Sequence, residues 1–286
     1  MRKKILTIFL GCCSMLSNAQ DKTVEAAEKS YGKASLNFIN NAVYNGRKDS
    51  LRTPYLTPTI GYYHKSGFFI DGSFSWLNQS GNSRIDLATI DAGYDFSFGN
   101  FQGEVIAEKY FYNKSSTNVS AEIKGDISAM ALYDFRFIET FLQPGIIFGT
   151  KTDYWLSWGI DHRFQVADKK LEITPTLLLN AATRNFYTSY FGNRRFKPRA
   201  GFQPPTVTAS MKDASKLILQ NYEWSLPLTY SSKNFSFGFT PFYSIAVNPA
   251  VVTVTIKPVN GPAFNKIITE KIGNTFYFSL DASVTF

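Results

Sequence analysis

The chain has 286 residues, a formal net charge of +8, 18% charged residues and 16% aromatic residues, among them 26 Phe and 16 Tyr. Soluble globular domains carry roughly 25% charged residues, so this is a charge-poor, aromatic-rich composition. The basic excess is too mild for a nucleic-acid binder, and the two cysteines, Cys12 and Cys13, sit together near the N-terminus, which leaves no pattern for a disulfide framework or thiolate metal site.

Residues 1–19, MRKKILTIFLGCCSMLSNA, place Arg2, Lys3 and Lys4 before the apolar stretch Ile5 to Leu16, with Ser17 and Ala19 at the small positions of a cleavage site. This is the pattern of a secretory signal cut near Ala19. Gly11-Cys12 offers a lipoprotein site, but Phe9 is a poor residue for it and the apolar run before it is short. Removal of the signal takes three positive charges and both cysteines. Residues 20–32, QDKTVEAAEKSYG, then form a short polar periplasmic lead. Beyond the signal there is no run of about 18 apolar residues, so no transmembrane helix is expected.

From residue 33 onward, segments of alternating polarity follow one another near 33–46, 54–64, 68–78, 85–98, 101–112, 121–135, 139–150, 154–166, 171–183, 214–230, 235–247 and 274–286. Period-two alternation is the pattern of a strand with one apolar and one polar face. Twelve strands are predicted. Apolar faces read out as Ile60 and Tyr62; Ile70, Phe74 and Trp76; Ile90, Tyr94, Phe96 and Phe98; Tyr154, Leu156, Trp158 and Ile160; and Phe235, Phe237 and Phe239. Trp76, Trp155, Trp158 and Trp224 are assigned to an interfacial girdle. The connections alternate between short turns, such as Lys65-Ser66-Gly67 and Gly99-Asn100, and longer loops, two of them covering 184–213 and 248–273. The connection at 150–154 is too short to suit the longer class.

Two turns fix registers. A two-residue turn at Gly99-Asn100 sets Phe98 opposite Phe101, Tyr94 opposite Val105 and Ala92 opposite Ala107 on one face. A three-residue turn ending on Gly67 sets Tyr62 opposite Ile70. The final residues, TFYFSLDASVTF, alternate to the end and close on Phe286. A chain ending inside a strand, on Phe, resembles the porin-like small barrels of the Gram-negative outer membrane. The resemblance implies that Phe286 is read as a signal by the barrel-assembly machinery, and it identifies no narrower family. The expected fold is all-β: a twelve-stranded antiparallel transmembrane β-barrel over residues 33–286, exported to the outer membrane and surrounded by its lipid and lipopolysaccharide.

The polar face would line the interior. The Gly99-Asn100 register sets Asp95 opposite Glu104 and Asp91 opposite Glu108, with Asp71, Glu223 and Asp281 also pointing inward. Opposed like charges are destabilising unless solvated, protonated or matched by cations. The 184–213 loop carries Arg184, Arg194, Arg195, Lys197 and Arg199, which either fold in to constrict the pore against these acids or bind lipopolysaccharide phosphates. No catalytic constellation, cofactor motif or metal-ligand spacing is present. A twelve-stranded outer-membrane phospholipase uses Ser, His and Asn, but His64 and His162 both fall at the periplasmic end. The expected function is a narrow or gated channel for small polar solutes, the alternative being a non-transporting barrel whose long loops hold a surface partner, with a lipid hydrolase less favoured.

Overall fold

A computed structural model describes residues 29–48, 52–79, 81–116, 118–190, 206–259 and 261–286. The expected signal and most of the lead lie outside these residues, as do Arg194, Arg195, Lys197 and Arg199. The strands in chain order are β1 (Tyr31–Ile39), β2 (Val43–Tyr44), β3 (Arg47–Lys48), β4 (Tyr55–Tyr63), β5 (Phe68–Leu77), β6 (Arg84–Phe98), β7 (Phe101–Tyr112), β8 (Gly125–Asp134), β9 (Glu139–Phe148) and β10 (Asp153–Asp161). They continue as β11 (Phe164–Val166), β12 (Leu171–Ile173), β13 (Thr176–Ala182), β14 (Thr206–Met211), β15 (Ile218–Ser225), β16 (Leu228–Ser232), β17 (Phe235–Ala246), β18 (Val251–Lys257), β19 (Phe264–Thr269) and β20 (Thr275–Thr285). A six-residue helix, α1, spans Asn185–Tyr190.

Fifteen of these strands form one antiparallel sheet that returns on itself through β1–β20 and β20–β17. Three walls are interrupted, β10 by β11, β12 by β13 and β15 by β16, so the closed barrel has twelve walls. Proline has no N–H to give to a ladder, and two of the breaks hold one, Pro175 between β12 and β13 and Pro227 between β15 and β16, while Pro241 of the unbroken β17 lies beside the second. Their carbonyls still accept, from His162 at 3.3 Å, Thr174 at 2.9 Å and Leu226 at 3.2 Å, so the walls stay joined.

The seam is complete to its last residue. Gly32 N–H donates to the Phe286 carbonyl at 2.8 Å, and Phe286 N–H donates back to Gly32 at 2.9 Å. The registers at Gly99-Asn100 and at Lys65-Ser66-Gly67 are those read from the sequence, with Tyr94 opposite Val105 and Tyr62 opposite Ile70. The apolar faces point outward as expected: Ile60, Tyr62, Ile70, Phe74, Trp76, Ile90, Phe98, Tyr154, Trp158, Phe235, Phe237 and Phe276 are all exposed. An apolar exterior of this extent on an edgeless barrel belongs in lipid, because hydrocarbon tolerates no unpaired backbone and rewards no polar face. The chain folds as a membrane-spanning barrel, as expected of one in the bacterial outer membrane, with both described ends of the barrel on the side of the short turns, here termed periplasmic. The four-residue connection 149–152 does lie at the outer end, between β9 and β10, despite its length.

Two expectations change. The first strand ends at Ile39, and residues 43–48 form a separate hairpin, β2–β3, whose central Asn45 and Gly46 have φ of 50° and 74°, the two positive values of a type I′ turn. The segments read as plain loops also contain strands: β14, β18 and β19 make a separate three-stranded sheet at the outer end.

Inside the barrel, bulky rings lie on glycines of the neighbouring strand: Phe69 on Gly93, Trp155 on Gly145 and Phe141 on Gly159. At Gly159 a Cβ would fall 1.9 Å from Phe141 Cζ, and Phe141 is enclosed, so its ring has no room to turn away. Gly159→Ala is therefore expected to destabilise the barrel by about 1–3 kcal/mol, the usual range for overpacking. The measurement is the urea midpoint of the protein refolded in detergent, and an unchanged midpoint would contradict the packing described.

Candidate functional site

Four strands contribute one acid each to a single row across the inner wall. Asp71 of β5 stands opposite Asp91 of β6, Asp91 opposite Glu108 of β7, and Glu108 opposite Asp126 of β8. Asp71 is the fourth residue of β5 from its periplasmic end, whereas Asp126 is the second residue of β8 from its outer end. Barrel strands tilt, so a row drawn across them climbs along the axis. This row rises from the periplasmic half to the outer end.

All four side chains are buried in the interior. Their surroundings are hydroxyl-rich but incomplete. Tyr63 donates to Asp71 at 3.2 Å, Thr89 to Asp91 at 3.3 Å and Tyr110 to Glu108 at 3.0 Å, while Asp91 Oδ1, Glu108 Oε1 and Asp126 Oδ1 have no hydrogen-bond partner. Asp95 stands opposite Glu104, four residues along β6 from Asp91 toward the periplasmic end. The remaining sequence-derived acids lie apart from the row. Glu223 accepts from Tyr277 at 2.9 Å, and Asp281 accepts from Asn37 at 2.6 Å on the seam side. Sequence reasoning missed Asp126, because its register with Glu108 crosses the 113–124 loop, which no tight turn fixes. It also missed a second acidic row near the periplasmic end, Asp134 opposite Glu139 opposite Asp161.

A band of neutral polar groups continues round the wall from β8. Gln143 donates to Ser128 at 3.2 Å, Ser157 to Asn180 at 2.6 Å, Asn180 to Asn221 at 3.2 Å and Asn221 to Ser244 at 2.8 Å. This band of amides and hydroxyls runs from β8 to β17. From Ser157 to Ser244 each group hydrogen-bonds the next, so the band fixes the interior surface without adding charge.

The outer end is different in kind. Tyr44, Ile123, Phe186, Tyr187, Met211, Ala250, Val252 and Val254, all from the loops and the outer sheet, pack against the inward side chains Leu87, Tyr110, Ile147, Trp155 and Ala182. Ile39, Ala42, Tyr55, Leu77, Phe242 and Tyr277 form an adjoining apolar cluster. Together they draw on ten of the twelve walls. An apolar cap thus crosses the mouth of a polar barrel. Trp155 belongs to this cap, buried against Gly145, and not to the outer girdle where the sequence reading put it.

The β2–β3 hairpin dips into the barrel: a Cβ on Gly46 would lie 2.7 Å from the Cβ of Asn221. That places Arg47 at the centre of the cap. Its Nε meets both oxygens of Glu270 at 3.1 Å, and its two terminal nitrogens donate to the carbonyls of Asn45, Gln220, Val247 and Asn248 at 2.9–3.4 Å. Glu270 in turn accepts from Tyr187 and from the Ala250 amide, both at 2.9 Å. One buried ion pair therefore holds three loops together. Asp153 ties in α1, accepting from the Asn185 and Phe186 amides at 2.7 Å. Arg184, the described member of the predicted basic loop, is also in the cap and donates to the Asn248 carbonyl at 2.8 Å, not to the acidic row. Burial, and then the charge of Arg47, push its guanidinium below the ordinary arginine pKa.

His64 Nδ1 lies 2.7 Å from Ser66 Oγ, but within one exposed periplasmic turn. The Ser66 amide also donates to His64 Nδ1, at 3.3 Å, and no cluster of three metal-ligating side chains occurs among the described residues.

No family model matches this chain, and no curated protein does. Solved structures similar to it include the KdgM porin, 11% identical over 90% of this chain and 99% of that one, with a TM-score of 0.44. An outer membrane channel from Pseudomonas putida F1 is 10% identical over 90% of this chain and 95% of that one, TM-score 0.44. The outer membrane channel DcaP of Acinetobacter baumannii is 12% identical over 90% and 96%, TM-score 0.30.

Removing Arg47 would strand a buried Glu270 charge, a loss of about 3–5 kcal/mol for a buried pair. Arg47→Ala is expected to speed amide exchange in β18 and at Ala250 by at least tenfold while the β6–β7 ladder keeps its protection. Hydrogen-exchange mass spectrometry reads this, and equal protection of β18 in both proteins would remove Arg47 from its place as the tie.

Proposed function

We propose that this protein is an outer-membrane channel for small polar solutes, favouring cations, whose outer mouth is closed by the loop cap. One observation carries the reading: acids, amides and hydroxyls line much of the interior, while the largest apolar cluster lies where loops cross the outer end and only a small one, Leu132, Phe141 and Leu178, lies among the walls. A barrel kept purely as a scaffold gains more from an apolar filling than from a row of buried carboxylates, whose desolvation is unfavourable by several kcal/mol each. A lined passage under a removable cover accounts for both halves. Because the cap is built from connections and the lining from walls, the one can move while the other stays fixed.

The second reading, a barrel that holds a surface partner and transports nothing, has one observation in its favour. The β18–β19 hairpin presents Val259, Phe264 and Ile267 to solvent at the outer end, an unusual apolar display for a segment outside lipid.

Planar bilayers separate the two. The wild-type protein is expected to give little current, the Arg47→Ala/Glu270→Ala variant a several-fold larger one, and the reversal potential of the opened channel in a KCl gradient should have the sign of cation preference. Adding Asp91→Asn and Glu108→Gln to the opened channel should shift that potential toward zero. A closed wild type and an equally closed latch variant would exclude the channel and favour the surface-binding barrel.

A further inference from the structure

We infer that the cap holds a binding site for a small oxyanion, a carboxylate or phosphate group, at the free edge of the Arg184 guanidinium beside Arg47. This goes beyond the channel reading and does not rest on it, because the site belongs to the loops and not to the lining.

The first observation is a buried cation without a counter-ion. Arg184 is 7% exposed, its Nη1 donates to the Asn248 carbonyl at 2.8 Å, and its Nε is enclosed with no hydrogen-bond partner. No carboxylate pairs with it among the described residues, whose ion pairs engage Arg47, Arg84, Arg163 and Lys216 instead. The acids of the cap are already taken. Glu270 receives Arg47, the Tyr187 hydroxyl and the Ala250 amide, and Asp153 receives the Thr183 hydroxyl and the Asn185 and Phe186 amides. Asp213 pairs with Lys216 at 2.8 Å. A guanidinium keeps its charge at neutral pH, and a buried charge left unpaired is strongly destabilising. The second observation is another cation at the same oxygen. Arg47 Nη2 donates to the Asn248 carbonyl too, at 3.1 Å, so two guanidiniums converge there while only one of them has a carboxylate. Burial, and then the Arg47 charge, lower the Arg184 pKa, and an anion at the free edge offsets both.

The form of the ligand follows from the edge that is left. With Nη1 turned to Asn248, Nε and the Nη2 beside it present two N–H groups side by side, the fork that matches two oxygens of one carboxylate or phosphate. A halide ion offers that fork a single acceptor. A lipid headgroup is fixed at the membrane surface, whereas the Arg184 Nε is closed off in a cap packed from side chains such as Phe186 and Tyr187, so a small free anion suits the site. Bound there, the anion leaves the Arg47–Glu270 tie in place and, by binding only the folded cap, stabilises it.

Isothermal titration of inorganic phosphate into the full-length folded protein in neutral detergent, with NaCl holding the ionic strength constant, tests this. Saturable binding is expected, weakened at least tenfold by Arg184→Met and unchanged by Lys170→Gln, which removes a charge from an exposed periplasmic turn. Acetate should displace phosphate, and chloride at the same ionic strength should not. Hydrogen-exchange mass spectrometry supplies the second readout. Phosphate should slow exchange in β18 of the wild type several-fold and leave Arg184→Met unchanged. In phosphate-free buffer the variant should protect β18 as well as the wild type does, because the Arg47–Glu270 tie remains. Absence of saturable binding, equal binding to Arg184→Met, or displacement by chloride as readily as by acetate would each overturn the site. So would a loosened cap in the phosphate-free variant, by showing that Arg184 is already satisfied without an anion. Binding of detergent-dispersed lipid A where free phosphate does not bind would overturn it as well, by assigning the charge to the membrane surface.

Discussion

The reciprocal hydrogen bonds between Gly32 and Phe286 are the constraint on which the molecule depends. They join the first wall to the last, and without that seam β1 and β20 would each present a row of bare amides and carbonyls to hydrocarbon, at several kcal/mol per unmet group. Closure removes the edge and leaves two surfaces with opposite solvents. Everything else about the sequence follows from keeping those surfaces apart. Alternation sends Phe276 and Leu280 to lipid and Tyr277 and Ser279 inward from the same strand, and a slip of one residue would exchange them.

The inner surface is unevenly furnished, and the unevenness organises function. Four adjacent walls bring carboxyls into one rising row, while the walls from β10 to β17 carry a chain of amides and hydroxyls bonded one to the next. Above both lies apolar packing supplied by connections that are far apart in sequence, joined at Arg47 and Glu270, 223 residues from each other. The walls provide rigidity through continuous ladders. The cap has fewer such ladders and relies on side-chain packing and one ion pair, which places it at the lower end of local stability.

Much of this was legible in the chain. Period two is a local signal, and tight turns such as Gly99-Asn100 fix registers from two residues, so the twelve walls, their faces and the Asp95–Glu104 and Asp91–Glu108 pairs could be read directly. What was hidden depended on distance. Asp126 joins the row only through a pairing that spans a twelve-residue connection between β7 and β8, and no sequence rule sets that register. The outer sheet pairs β14 with β18 across some forty residues, so VVTVTIK, although rich in β-branched residues, had no visible partner. Two signals were present and overlooked. Asn45-Gly46 is a strong hairpin dipeptide, masked by an alternation that seemed to continue through it, and Trp155 is inward by the same alternation that sends Tyr154 and Trp158 outward.

The central claim is that a polar, acid-lined interior lies behind a cap that Arg47 holds shut. With both native cysteines in the predicted signal, a single Asp91→Cys substitution gives a unique reporter inside the barrel. A membrane-impermeant maleimide applied to intact cells is predicted to leave this cysteine unlabelled in the otherwise native protein and to label it when Arg47→Ala is added. Rapid labelling in both backgrounds would contradict the cap, and labelling in neither would contradict the passage beneath it.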